Sequence, residues 1–189
     1  MRLDLDNESL PLLGIAAWSG TGKTTLIEAL LPRLRAAGLA VAVIKHAHHD
    51  IEVDRPGKDS HRLRMAGAAP MLVASRERLA LTMETPDRAA PDLARLIDQV
   101  RPFEPDLVLI EGFKRWPLPR LELYRASLGQ PMLAVGDPWV RALASDAAVE
   151  LPPGVTRLEL DDIEALARYI AAWPARWPAC RHPRGEVPA

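Results

Sequence analysis

The chain reads as an α/β protein in three layers, with a mainly parallel sheet and helices on both faces. Three observations carry that reading. A glycine-rich stretch, Ala17-Trp18-Ser19-Gly20-Thr21-Gly22-Lys23-Thr24-Thr25, sits between an apolar run and an amphipathic one, the strand-loop-helix context of a phosphate loop. Apolar segments of strand length alternate with segments of helical periodicity along the chain, as βαβ units require. Polar segments directly succeed the apolar runs that end at Ala17, Lys45 and Ile110. Right-handed crossovers bring the ends of parallel strands to one sheet edge, so these segments should converge. The fold class is therefore of the P-loop NTPase type.

The elements come in this order. Leu12–Ala17 is the first strand, and Leu26, Leu30 and Leu34 mark one face of the first helix. Pro32 lies within that helix and predicts a bend or an early change of direction. Gly38 is its stop, and Ala40–Lys45 is a short buried strand. His46 to Lys58 is polar and irregular; Asp59–Ala66 reads as a short helix closed by Gly67, with Asp59 or Ser60 as its N-cap. Met71–Ala74 and Leu79–Met83 are strands joined as a hairpin by Ser75-Arg76-Glu77-Arg78. Leu93, Leu96, Ile97 and Val100 give a helix over Asp92–Val100, and Leu107–Ile110 is a strongly buried strand. Leu121–Tyr124, Met132–Val135 and Val140–Ala144 are further strand candidates. Asp161 or Asp162 caps a last helix with Ile163, Leu166, Ile170 and Trp173 on one face. These boundaries divide the chain into an N-terminal tail (1–10), a P-loop nucleotide-binding domain (11–173) and a flexible Pro- and Arg-containing tail (174–189).

Composition narrows the class of function. The chain has 189 residues, 48% hydrophobic and 26% charged, with a net charge of -1. Nothing in that balance points to nucleic acid or to an anionic membrane surface. No apolar run approaches the ~20 residues that span a bilayer. Residues 1–10 are polar and acidic, without a secretory apolar region, and Cys180 is the sole cysteine. A reducing, cytoplasmic setting is expected.

The glycine-rich stretch has a direct physical reading. Gly20 and Gly22 let backbone N–H groups curl around an anion, and the helix opening there adds its positive dipole end. Lys23 supplies a point charge for phosphates, and the Thr24 hydroxyl is placed for Mg²⁺. Alanine at position 17, in place of glycine, is compatible with the motif wherever its φ is negative. Glu111-Gly112 ends the run Leu107–Ile110, where an acid holds Mg²⁺ or orients water and a glycine admits a γ-phosphate. Asp106 begins the same run, at the far edge, and carries no metal role. In Lys45-His46-Ala47-His48-His49-Asp50 the histidine spacing matches no closed zinc pattern. Contact with nucleotide or a second substrate suits His46, His48, His49 and Asp50 better, and Asp50 and Asp54 lie where a Mg²⁺-associated loop would. Lys114 and Arg115 add positive charge near the phosphates. Asp146 comes after a strand and can accept two hydrogen bonds from guanine, a pair adenine cannot offer; capping a helix is its plainer use. Trp18 can cover a nucleotide or a partner, whereas Trp139 and Trp173 suit the core.

Taken in order, the phosphate loop, Ile44-Lys45-His46-Ala47-His48-His49-Asp50, Pro56-Gly57-Lys58-Asp59-Ser60, Val73-Ala74-Ser75, Glu84-Thr85-Pro86-Asp87 and Leu109-Ile110-Glu111-Gly112-Phe113-Lys114 resemble one family over residues 11–173. It is the MobB family of molybdopterin-guanine dinucleotide biosynthesis adaptor proteins. The histidine segment with its downstream Pro-Gly-Lys-Asp-Ser is the specific part; the phosphate loop alone is not. The resemblance implies a GTP-binding homodimer with weak GTPase activity. It would assist a molybdenum cofactor guanylyltransferase that joins GMP to molybdopterin, without being the transferase, and molybdopterin itself is a further partner. By position, Ser19, Gly20, Thr21, Gly22, Lys23, Thr24 and Thr25 would hold GTP, and Thr24 and Glu111 would hold Mg²⁺. His46, His48, His49 and Asp50 would line the adjoining groove. A small-molecule kinase and a metallocentre-loading GTPase chaperone are the other readings open to these residues.

Overall fold

The computed structural model describes residues 3–47, 54–85 and 90–185. Two compact units divide the chain, Met1–His46 with Asp92–Ala189, and Ala47–Pro91. The larger unit holds a sheet of strands β1 (Leu12–Ala17), β2 (Val41–Lys45), β5 (Leu107–Glu111), β6 (Arg120–Tyr124), β7 (Val140–Ser145) and β8 (Thr156–Glu159), and the smaller unit holds β3 (Met71–Ala74) and β4 (Leu79–Thr82). The sheet order is β2-β5-β1-β6-β7-β8, and every neighbouring pair is parallel. Parallel central strands bury both faces, and β1 and the Leu107–Ile110 part of β5 are buried throughout.

Helices α1 (Lys23–Ala36), α3 (Leu93–Val100), α4 (Ile163–Ala171) and α5 (Trp173–Cys180) accompany this sheet. The chain moves one way along the sheet from β1 to β2 and back from β2 to β5, so right-handed crossovers put α1 and α3 on opposite faces. Leu26, Ile27, Leu30 and Leu34 of α1 are buried, as are Leu93, Ala94 and Ile97 of α3. Asp92 caps α3 by accepting from Ala94 N–H, and Asp162 caps α4 by accepting from Ala165 N–H.

The smaller unit contains α2 (Asp59–Met65) and the antiparallel hairpin of β3 with β4. Arg64 ties it together by pairing with Asp54 at 3.3 Å and Glu84 at 2.6 Å. Leu72, Leu79, Leu81 and Met83 are exposed.

Several expectations are corrected. Helix α1 runs through Pro32 to Ala36 and makes no early change of direction there. Met132–Val135 is not a strand: Leu133–Val135 forms one turn of 3₁₀ helix, because the carboxylate of Glu122 accepts the N–H groups of Leu133 and Ala134, each at 2.7 Å. Lys58 occupies the N-cap of α2, and Asp59 accepts from its neighbour Ser60 N–H at 2.9 Å. Residues from Pro174 to Arg184 are not a loose tail. Trp173 and Trp177 are buried, and their indole N–H groups donate to Leu12 O and Glu8 O, both at 2.9 Å. Pro174 stands in the first turn of α5, where its missing N–H costs nothing. Arg184 then donates to Ala134 O and Pro153 O.

Candidate functional site

Strands β1, β2, β5, β6 and β7 end at Ala17, Lys45, Glu111, Tyr124 and Ser145. Because all run parallel, the segments leaving them meet at one edge. Between β1 and α1 the chain makes the glycine-rich loop. Gly20 (φ 82) and Gly22 (φ 96) adopt left-handed backbone, where an L side chain would be strained. Gly22 offers α1 no side-chain cap, and the first turn of α1 carries no acid. Among the described residues, the first N–H groups of that helix therefore have neither an intrahelical acceptor nor a capping carboxylate. An oxyanion seated there would meet converging donors and the positive end of the dipole. Ser19, Thr24 and Thr25 are exposed around this mouth, whereas Thr21 is buried and donates from Oγ1 to Trp18 O at 2.8 Å.

Lys23 Nζ lies 3.2 Å from Ala17 O and 3.1 Å from Trp18 O, folded back over its own loop. Its ammonium is held below the ordinary lysine range: burial is the main cause, Glu111 opposes it, and Lys114 and Lys45 add to it. Glu111 pairs through Oε2 with Lys45 Nζ at 3.3 Å, its side chain 12% exposed against 52% for the lysine. That pair comes from register, since Lys45 and Glu111 are partners at the ends of β2 and β5. His46 N–H then donates to Glu111 O at 2.9 Å, and the His46 ring lies 5.0 Å from that of Phe113. Lys114 Nζ stands 5.1 Å over the Trp18 ring, whose indole N–H donates to Pro131 O at 2.8 Å.

The structure thus brings Ser19–Thr25, His46, Glu111 and Lys114 to one edge. His48, His49 and Asp50 lie outside the described residues. Among those described, no group of His, Cys, Asp and Glu could hold a metal ion. Asp106 is at the far edge as expected, exchanging bonds of 2.8 Å with the backbone of Ala40. Asp146 succeeds β7, and no helix begins at it. It accepts Ala126 N–H through Oδ1 at 3.1 Å and an Arg125 Nη1–H through Oδ2 at 3.3 Å. A carboxylate offers about four acceptor positions, so capacity for further donors remains.

Sequence reasoning missed Lys45 and Arg125 at this edge, and Glu122 within the sheet. Lys45 stood beside the histidines without a role, although its place at a strand end was a usable signal. Arg125 comes directly after a predicted strand and could have been found the same way. Glu122 lies inside β6 and had no such signal; burial raises its carboxyl above the usual range, against the two N–H groups it accepts.

Fold and loop geometry together define an α/β protein of the phosphate-loop NTPase-like fold. The chain belongs to the MobB family: the profile described as "Molybdopterin guanine dinucleotide synthesis protein B" matches residues 12–146. An Escherichia coli (strain K12) protein named molybdopterin-guanine dinucleotide biosynthesis adapter protein is 47% identical over 165 residues, covering 87% of this chain and 93% of the relative. A Haemophilus influenzae protein of the same name is 41% identical over 168 residues, 88% of this chain and 91% of its own length. The crystal structure of Bacillus subtilis MobB superposes with a TM-score of 0.68 at 26% identity, covering 94% of this chain and 100% of that one. No helix among the described residues is long and apolar enough to cross a membrane.

Proposed function

We propose that this chain binds GTP with Mg²⁺ and serves as the adaptor that assists a guanylyltransferase in joining GMP to molybdopterin. The observation that carries the reading is the uncapped, acid-free start of α1 behind Gly20 and Gly22, with Lys23 and Glu111 beside it. The names of the relatives supply the pathway.

In this reading the N–H groups of Gly20 to Thr25 cradle the phosphates. Lys23 exchanges the carbonyls of Ala17 and Trp18 for phosphate oxygens. Ser19 and Thr25 border the phosphates, and the Thr24 hydroxyl and Glu111 hold Mg²⁺, which neutralises phosphate charge when bound. Lys114, over Trp18, adds to the field there. Asp146 reads guanine through the acceptor positions its two intramolecular donors leave over, and those donors fix its orientation. His46 lines the groove beyond Glu111, and contact with the nucleotide or a second substrate is the role proposed for His48, His49 and Asp50. Weak GTPase activity belongs to the same reading. The exposed apolar residues of the β3–β4 hairpin support self-association as a homodimer, and the cytoplasm is the setting.

Calorimetry with GTP and ATP in the presence of Mg²⁺ tests the reading. Selective GTP binding is expected, lost by on the order of 10–100-fold in Lys23→Ala. Unchanged affinity in that variant overturns the phosphate-site assignment. Co-purification of the guanylyltransferase tests the adaptor role.

A further inference from the structure

We infer that Arg125 is the positioning residue that ties base reading to the phosphate loop. The inference rests on the GTP reading and deepens it.

Arg125 is the first residue after β6, which lies beside β1 with Leu123 opposite Ala17. It therefore emerges next to the phosphate loop. Its Nε–H donates to Thr21 O at 3.1 Å. The same guanidinium donates through Nη1 to Asp146 Oδ2 at 3.3 Å, and its Nη2 lies 3.9 Å from Asp161 Oδ1. Asp146 also accepts the N–H of the next residue, Ala126. The carboxylate is thus gripped at two points by one dipeptide, whose side chain is bound to the phosphate loop.

The bonded path is continuous. Trp18 O accepts from the Thr21 hydroxyl, Thr21 O accepts from Arg125, and Arg125 donates to Asp146. It runs across the ends of β1, β6 and β7, from the phosphates to the base side. Thr21 is only 2% exposed, so the carbonyl that Arg125 holds belongs to a fixed part of the loop. A guanidinium can span two acceptors because its donors diverge in one rigid plane; an ammonium on a flexible stem holds one point at a time. A ligand held by that fixed loop thereby meets a base-selecting carboxylate already oriented by the same guanidinium. By linkage the correct base stabilises the loop in return.

A merely structural Arg125 would weaken every ligand alike. A positioning Arg125 acts on the ratio of bases. The experiment measures dissociation constants of GTP, ATP and inorganic tripolyphosphate, each with Mg²⁺, for the wild-type chain, Arg125→Ala and Arg125→Lys. Circular dichroism confirms the fold of each variant, and Arg125→Lys keeps the charge should Arg125→Ala fail to fold. The wild-type preference for GTP over ATP is expected to fall on the order of tenfold in both variants, while tripolyphosphate affinity stays within about threefold. In an Asp146→Asn background, Arg125→Lys should add no further loss of selectivity. An unchanged GTP-to-ATP ratio with selective wild type overturns the inference and leaves the GTP reading standing. A wild type that does not prefer GTP overturns both, since there is then no base reading to position.

Discussion

Replacing Gly112 with alanine should cost far more than a glycine-to-alanine change usually does. Gly112 comes after the last residue of β5 at φ 94, in the left-handed region. A Cβ built there falls 2.7 Å from His46 Cβ and 3.6 Å from His46 Cα. His46 cannot retreat freely, because its N–H is bonded to Glu111 O at 2.9 Å. The left-handed backbone costs an alanine roughly 1–2 kcal/mol, and forcing an extra carbon into filled space adds roughly 1–3 kcal/mol. Together these give about 2–5 kcal/mol, or a fall in Tm of several to some 20 °C at about 2–4 °C per kcal/mol. Gly154 is the matched control: its φ is 79, but the nearest atom to a built Cβ is Arg184 Cδ at an ordinary 3.6 Å. Gly154→Ala should therefore lose only the backbone share, about 1–2 kcal/mol. Denaturant unfolding monitored by tryptophan fluorescence compares the two. Equal costs would refute the role given to His46. The same variants separate stability from site geometry, since only Gly112→Ala should also weaken GTP binding.

Trp177→Phe removes the donor to Glu8 O while keeping most of the buried ring. It should cost about 1–3 kcal/mol in denaturant unfolding; a change under about 0.5 kcal/mol would mean water or a shifted chain replaces the bond. Asp146→Asn replaces an acceptor-only group by one that also donates, so calorimetric GTP-to-ATP selectivity should drop at least about tenfold. A constant ratio would remove Asp146 from the base site. Burial pushes the Tyr169 hydroxyl up to about 12, above its unfolded value of 10.0. Both states keep the proton below pH 10, so its contribution is intact there. Above that pH the unfolded chain ionises first, and stability falls by up to about 2–3 kcal/mol as pH rises through 12. Unfolding at pH 9–12 should show this decline in wild type and a shallower one in Tyr169→Phe; parallel curves would contradict it.

The features legible in the chain were those written locally. The phosphate loop, its flanking strand and helix, and Leu107–Ile110 with Glu111 all carry their signal within a few residues. Parallel topology then brought them together at one sheet edge, as expected. The features that escaped depend on distant partners. Leu133–Val135 is apolar enough for a strand, but its N–H groups are claimed by Glu122, in another strand. The segment after Pro174 has the composition of a loose tail, yet Trp173 and Trp177 find carbonyls at Leu12 and Glu8. Arg125 shows the same limit: its place after a strand was visible, but Thr21 and Asp146 as its partners were not.

The edge of the sheet opposite the glycine-rich loop holds a different kind of bonding. There Leu12 O and Glu8 O receive the two indoles, Asp106 and Ala40 clasp the starts of β5 and β2, and Arg101 grips the Glu8 carboxylate at 2.9 Å. None of these groups faces the ends of the strands where ligand chemistry gathers. These bonds anchor the starts of the strands, at the end of the sheet away from the glycine-rich loop.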